Sequence, residues 1–378
     1  MRMKTNRKLK LCVVCPVHWS AFMGGSQYQI KCIVDELVPS GRYEVSYIAN
    51  EINPEFTATN HTVYQVGGAV RKLGYMPHLV HLYRELKRIK PDVIYQRVAC
   101  GYTGIAAWYA NKNKARMVWH VAHEGDVVRG NLIYGRNPIR RSLEQMSVIY
   151  GLRRADAIVT QTADQADLLF SNFGRSADAI VPNFHPAPSE DIDKSGPVTV
   201  TWIANLKHWK QPEKFIHLAK ALSDMPNVRF LMVGAPPPIF GESKWHHEIM
   251  GLISSVKNLT YLGKRSQAEV NEILAKSHVF VNTSLHEGFA NTFIQAWMRH
   301  VPVVSLHENP DGVFDAEEVG ICASGCESKL ASAVRSLAED AVRRDAMGAR
   351  GYRHAMRNHS VDNATLLAEI FESGAVHD

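Results

Sequence analysis

The chain has no G-x-G-x-x-G after its first apolar segment and no Walker A lysine loop, which argues against nicotinamide, flavin and P-loop chemistry. No apolar run reaches the roughly 18 residues that a membrane-spanning helix needs. The opening MRMKTNRKLKLCVVCPVHW is basic, yet only Leu11 to Cys15 are apolar before Pro16. That is too short for the apolar core of a secretory signal and reads as a first buried strand, so the expected location is the cytoplasm. Cysteines number six. Cys12 and Cys15 form a C-x-x-C inside a strand-like run, where positions three apart turn to opposite faces. Cys322 and Cys326 lie far along the chain without paired-histidine spacing, so buried thiols are expected rather than zinc ligands. Aromatics are not interleaved with the basic residues, which argues against single-stranded nucleic acid as a partner.

What is present is a chain of 378 residues with a formal charge of +6, long enough for roughly two to three domains. The positive charge is uneven. Arg2, Lys4, Arg7, Lys8 and Lys10 open the chain; Arg84, Lys87, Arg88 and Lys90 share one helical segment; Arg136, Arg140, Arg141, Arg153 and Arg154 follow. Solvated helix faces account for such runs, and so does peripheral contact with an anionic membrane or a phosphate-bearing acceptor.

Short apolar runs alternate with amphipathic ones. LKLCVVC, YEVSYIA, HTVYQV, PDVIYQR, ARMVWHVA and ADAIVTQT predict buried strands, while SQYQIKCIVDELVPSG and MPHLVHLYRELKRIK predict helices ending at Gly41 and Pro91. Ser26 is the expected cap of the first helix. PNFHPAPSEDIDKSGP has no apolar period and reads as an interdomain linker. Alternation then restarts with PVTVTWIAN, VRFLMVG, LTYLG, HVFVNTS, VPVVSL and VGICA as strands and KFIHLAKALSDM and AEVNEILAKS as helices, before a mostly helical end. Two α/β domains with doubly wound parallel sheets follow, with ligand expected at the carboxyl ends of the strands. Asp191-Ile192-Asp193 has the look of a metal motif but sits in the proline-rich linker, and no metal or other cofactor is expected.

The most informative stretch is SLHEGFANTFIQAWMRHVPVV, from Ser284 to Val304. A helix start carries unpaired N–H groups and partial positive charge, so it suits an anion. A carboxylate beside it, Glu287, either complements the helix dipole or holds something else. The stretch resembles the corresponding segment of the family 4 retaining glycosyltransferases of the GT-B fold. The likeness includes Thr283-Ser284, Glu287-Gly288-Phe289-Ala290-Asn291 and Val301-Pro302-Val303-Val304. RRADAIVTQT, IVPN ending at Asn183, NVRFLMVG, NLTYLG and the Gly24-Gly25 loop extend it over nearly the whole chain.

The resemblance implies two Rossmann-like domains facing across a cleft. Residues 1–185 would form an acceptor domain, 186–197 a hinge and 198–355 a nucleotide-sugar domain, with 356–378 a helix packing back on the first domain. It implies a diphosphate at the helix start, met by backbone N–H groups of Asn291, Thr292 and Phe293. Glu287 would accept from donor-sugar hydroxyls, with Gly288, Phe289 and Ala290 shaping the loop and Gly25 approaching from the first domain. Lys210 matches the family's diphosphate-binding lysine. A cation ahead of a helix is otherwise unfavourable. His123 matches the histidine that contacts the donor sugar, with His120 as its rival; Asp126 and Arg129, just beyond, are candidates for acceptor contact. Three positions depart from the pattern. Asn205 stands where an arginine is usual, with Lys207 two residues on; Ala290 replaces glycine; Gln295, one residue short of Ala296, stands where the family has a ribose-binding glutamate. An amide accepts without charge assistance, and a lysine lacks the guanidinium fork.

The expected activity is transfer of a sugar from a nucleoside diphosphate sugar to a saccharide or lipid-linked hydroxyl acceptor, with retention and without a metal. Surface polysaccharide or glycolipid assembly, at the inner face of the cell membrane, is the expected setting. Front-face attack would rest on positioning, on neutralising the leaving diphosphate through Lys210 and Lys207, and on domain closure. A catalytically silent nucleotide-sugar-binding subunit and a sugar phosphorylase of the same fold are the competing readings.

Overall fold

The computed structural model describes residues 7–67, 78–128, 138–236 and 243–373. Arg2, Lys4, Arg129, Arg136 and the Arg140 side chain therefore lie outside the described residues. The chain divides into two compact units, one of residues 1–184 with 361–378 and the other of residues 185–360.

The first unit carries a parallel sheet whose strands are β1 (Leu9–Val14), β2 (Tyr43–Ala49), β3 (Thr62–Gln65), β4 (Val93–Arg97), β5 (Arg116–His120), β6 (Ala157–Thr160) and β7 (Ala179–Ile180). Their order is β3-β2-β1-β4-β5-β6-β7, so the winding reverses between β1 and β4. Helices α1 (Gly25–Leu37), α2 (Leu79–Ile89), α3 (Gly101–Asn113), α4 (Pro138–Arg154) and α5 (Ala163–Phe173) connect them. The inner strands are mostly buried along their length because both faces of the sheet are covered there, while the edge strand β3 is partly exposed. Cys12 packs in one core with Leu82 and Trp119, and Cys15 in the opposite core with Ile30 and Tyr47, as the period of two requires. Gly24, not Ser26, precedes the first turn of α1, and no side chain caps it. Helix α3 has no amphipathic period because it is apolar nearly all round. It meets α4 through a close approach in which a Cβ on Gly104 would lie 2.6 Å from the Ser147 carbonyl.

In the second unit the strands are β8 (Val198–Ile203), β9 (Val228–Val233), β10 (Leu259–Tyr261), β11 (Val279–Asn282), β12 (Val303–Ser305) and β13 (Gly320–Cys322), ordered β10-β9-β8-β11-β12-β13. Here the winding reverses between β8 and β11. The helices are α6 (Pro212–Ala221), α7 (Ser243–Ser254), α8 (Gln267–Ala275), α9 (Asn291–Trp297), α10 (Val313–Ala316), α11 (Glu327–Glu339) and α12 (Ala341–Asn358).

The segment 186–197 is not a detached solvated hinge. Arg299, buried in the second unit, pairs with Glu190 at 2.6 Å, and Lys194 Nζ donates to the Leu274 carbonyl at 3.2 Å. These non-local bonds tie it to the second unit. The expected boundary at residue 355 falls inside α12, and the contact division falls after Ser360. The last helix, α13 (Asp362–Glu372), belongs to the first unit. Phe371 meets Tyr95 edge-on with ring centroids 5.3 Å apart, and Arg116 Nε donates to the Ile370 carbonyl at 3.0 Å.

Candidate active site

In an open α/β sheet, ligands collect beyond the strand carboxyl ends where the winding reverses. In the second unit that point lies between β8 and β11, and the two loops leaving these strands carry Lys210 and Glu287. The side chains form an ion pair. Both are mostly buried, with relative side-chain exposures of 19% and 14%. The loops are stitched together beneath it. Thr283 Oγ1 accepts from the Trp202 indole at 2.9 Å and donates to the Lys210 carbonyl at 2.7 Å. Leu285 N donates to the Trp209 carbonyl at 2.8 Å, and Asn282 Nδ2 reaches Glu287 at 3.5 Å.

Lys210 ends a short 3-10 turn, His208–Lys210, that Lys207 precedes. Its charge ahead of α6 is offset by Glu287. Gln211 follows in the left-handed region, with φ 46°, a strained conformation for a side chain of that size. His307 Nε2 meets its Oε1 at 2.9 Å. Burial, then the nearby Lys210, lowers the pKa of Lys207, whose ammonium lies 4.7 Å from the centre of the Trp209 ring.

The remaining second-unit residues fall around this pair. Asn205 Oδ1 accepts from Ala235 N at 3.2 Å, so this amide braces the ends of β8 and β9. Gly288, Phe289 and Ala290 lead into α9, and Phe289 packs 4.6 Å from the His359 ring. Asn291 and Thr292 open that helix. Gln295 is buried rather than solvated, its amide donating to Gln267 at 3.1 Å and Asn271 at 2.8 Å.

Sequence reasoning missed His185. It hydrogen-bonds the Asn291 side chain, and burial, then Arg299 and His359, push its pKa down to about 3. The neutral form is therefore favoured in the fold, while the unfolded chain takes up a proton near the ordinary value of 6.5. Stability contributed by this residue is present above pH 6.5 and falls as pH drops toward 3. Thermal unfolding followed between pH 7 and pH 4 should show this slope, and His185→Asn should make it shallower; an unchanged slope would remove the assignment.

In the first unit, Gly25 begins α1 and His123 follows β5. His123 Nδ1 accepts from Gly125 N at 2.9 Å, which places the ring proton on Nε2 as a donor. Asp126 accepts from the amides of Ala122 and His123 at 2.9 and 3.1 Å. It closes the loop, so this carboxylate is engaged inside its own turn rather than turned to an acceptor. His120 is buried, with Nδ1 2.9 Å from the Tyr95 hydroxyl. Asp191, Ile192 and Asp193 are exposed, and among the described residues no cluster of three or more His, Cys, Asp or Glu side chains is arranged to hold a metal ion. None of the described helices is long and apolar enough to cross a membrane.

Two parallel sheets in two units, each reversing beside its first strand, define the GT-B class, and solved structures agree. Sucrose-phosphate synthase of Thermosynechococcus elongatus superposes with a TM-score of 0.76 at 13% identity, covering 97% of this chain and 99% of that one. Anabaena HepE, solved with UDP-glucose, gives 0.72 at 18% identity over 97% and 100%. Residues 23–184 match the family described as Glycosyltransferase Family 4, and residues 197–340 match Glycosyl transferases group 1. The chain belongs to this glycosyltransferase family. It is 22% identical over 288 residues to a D-inositol 3-phosphate glycosyltransferase of Stackebrandtia nassauensis. That match takes in 69% of this chain and spans 64% of the relative's length.

Proposed function

We propose that the protein transfers a sugar from a nucleoside diphosphate sugar to a hydroxyl acceptor, with retention and without a metal ion, in polysaccharide or glycolipid assembly. The observation that carries this reading is the Lys210–Glu287 pair at the reversal point of the second sheet. A sugar esterified to a diphosphate offers the complementary set: anionic oxygens for Lys210 and Lys207, and neighbouring hydroxyls for Glu287, whose two oxygens accept from both. The Asn291 and Thr292 amides would meet the diphosphate at the start of α9, whereas the Phe293 amide, expected from the sequence to join them, donates to the Ala290 carbonyl at 2.9 Å. By resemblance, His123 through Nε2–H and Gly25 through its backbone are assigned to the donor as well. As the sugar–phosphate bond breaks, the lysines neutralise the leaving group, and the leaving oxygen takes the acceptor proton.

The complex of HepE with UDP-glucose makes UDP-sugars the first donors to try, and the Stackebrandtia relative makes a phosphorylated polyol the first acceptor. The test is a thermal-shift panel of UDP, GDP, ADP and their sugars, since stabilisation follows the logarithm of occupancy. One nucleotide series should raise the melting temperature, with an extra shift from the attached sugar. Glu287→Ala should erase that extra shift and keep the nucleotide's own. No shift from any compound would reject the proposal, and NMR showing an inverted product would reject retention. Asn205 and Gln295 hold their own fold with their amides, an observation that favours a binding-only subunit; donor binding without transfer to any acceptor, or hydrolysis, would establish that reading.

A further inference from the structure

Lys210 hangs on a strained joint. It closes the 3-10 turn, and the next residue, Gln211, is at once the end of that turn and the residue ahead of α6. The Gln211 N–H donates to the His208 carbonyl at 3.1 Å, and its carbonyl accepts from Lys214 N at 3.0 Å. To do both it takes φ 46° and ψ 55°, a left-handed conformation that glycine adopts freely and a residue with a side chain does not.

Two side chains hold this joint. Thr283, just beyond β11, shares its hydroxyl hydrogen between the Lys210 and Gln211 carbonyls, at 2.7 and 3.0 Å. His307 Nε2 donates to Gln211 Oε1 at 2.9 Å, a tautomer set by the carbonyl oxygen, which only accepts. His307 is half-buried just past β12, whose Ser305 stands in register with Asn282 of β11. The histidine is anchored in turn. Leu306 N donates to the Asn282 carbonyl at 2.8 Å, and Cys322 Sγ reaches the His307 carbonyl at 3.5 Å. Three loops, leaving β8, β11 and β12, therefore converge on the peptide that carries Lys210.

We propose that His307 is a positioning residue for Lys210. Its imidazole grips the Gln211 amide oxygen, keeps that residue left-handed, and so fixes where the Lys210 ammonium stands against Glu287. A glycine at 211 would reach the same backbone without strain but would leave the turn free to swing. The clamped glutamine gives up some stability to hold the lysine in one place. His307 acts through Gln211 and not on the donor; its purpose rests on the donor reading given above, and its test does not.

The test is a stability cycle on the full chain by denaturant unfolding. Lys210→Ala, Glu287→Ala and the two together are compared in wild type, His307→Gln, His307→Asn and Gln211→Gly. The side-chain amide of His307→Gln reaches about as far as imidazole Nε2, whereas that of His307→Asn stops short. Coupling between Lys210 and Glu287 should survive in His307→Gln and fall by at least about half in His307→Asn. Gln211→Gly should lose coupling as well, yet keep or raise the melting temperature, because the strain is gone. A histidine that only stabilised the fold would move stability and coupling together. With the donor that gives the largest thermal shift, His307→Asn should lower kcat about five-fold and leave its KM within about two-fold. The cycle contains no donor, so its failure is distinguishable from failure of the donor reading. Equal coupling in all backgrounds would overturn the proposal. So would His307→Gln behaving like His307→Asn, or Gln211→Gly melting well below wild type.

Discussion

Replacing Lys210 with alanine should lower turnover at least ten-fold, measured as initial rates with the donor that gives the largest thermal shift. The ammonium is the side chain best placed to balance charge building on a departing diphosphate, and removal of one such group typically costs about 3 kcal/mol of barrier. The free protein should suffer as well. Glu287 would keep its burial and lose its cation. Breaking a buried pair from one side costs about 3–5 kcal/mol, and the partial exposure of this one brings the expectation down to about 1–3 kcal/mol. Lys210→Ala and Glu287→Ala should each destabilise, but the double variant should destabilise less than the sum. Near-normal rates in both single variants would dismiss the site.

A second large effect is expected at Gly234, which ends β9 with φ +156°. A Cβ there would stand 1.7 Å from the Ala204 carbonyl oxygen and 3.2 Å from Asn205 N. Neither atom can yield. Ala204 N bonds Val233 O and Gly234 N bonds Gly263 O, both at 3.0 Å, and the Gly234 carbonyl accepts from the Tyr261 hydroxyl at 2.8 Å. Gly234→Ala should therefore cost about 3 kcal/mol or more, lowering the melting temperature of the second unit by roughly 6–12 °C. Because Asn205 follows directly on the displaced end of β8, the donor-induced shift should fall too. A melting temperature within about 2 °C of wild type would show that the strand end can rearrange cheaply.

Much of this was legible in the chain. Strands such as Tyr43–Ala49 are mostly apolar and follow a breaker at Gly41, and the Glu287 loop has a pattern carried by adjacent residues. Period-based reading failed where sides are not distinguished. Helix α3 is covered on most sides, and α4 is apolar both inward and outward, so neither contrasts a wet face with a dry one. The supports of the site were hidden for another reason. His185 bonds Asn291 and Glu190 bonds Arg299; each pair is separated by more than a hundred residues, and no local spacing announces such a partner. The pairing of Lys210 with Glu287 belongs to the same kind. Each was visible as a site residue, yet their mutual neutralisation emerges only when β8 and β11 lie side by side.

The return of α13 to the first unit has a consequence for biosynthesis. Phe371, Leu367 and Ala368 complete a core begun by Leu11 and Val13, so the amino-terminal sheet waits until residue 371 has been made before one of its faces is sealed. The second unit has no such dependence and can finish while α13 is still inside the ribosome. During that interval Tyr43 and Tyr95 lack their final neighbours, and a nascent chain halted just short of α13 would present an apolar groove to chaperones and proteases.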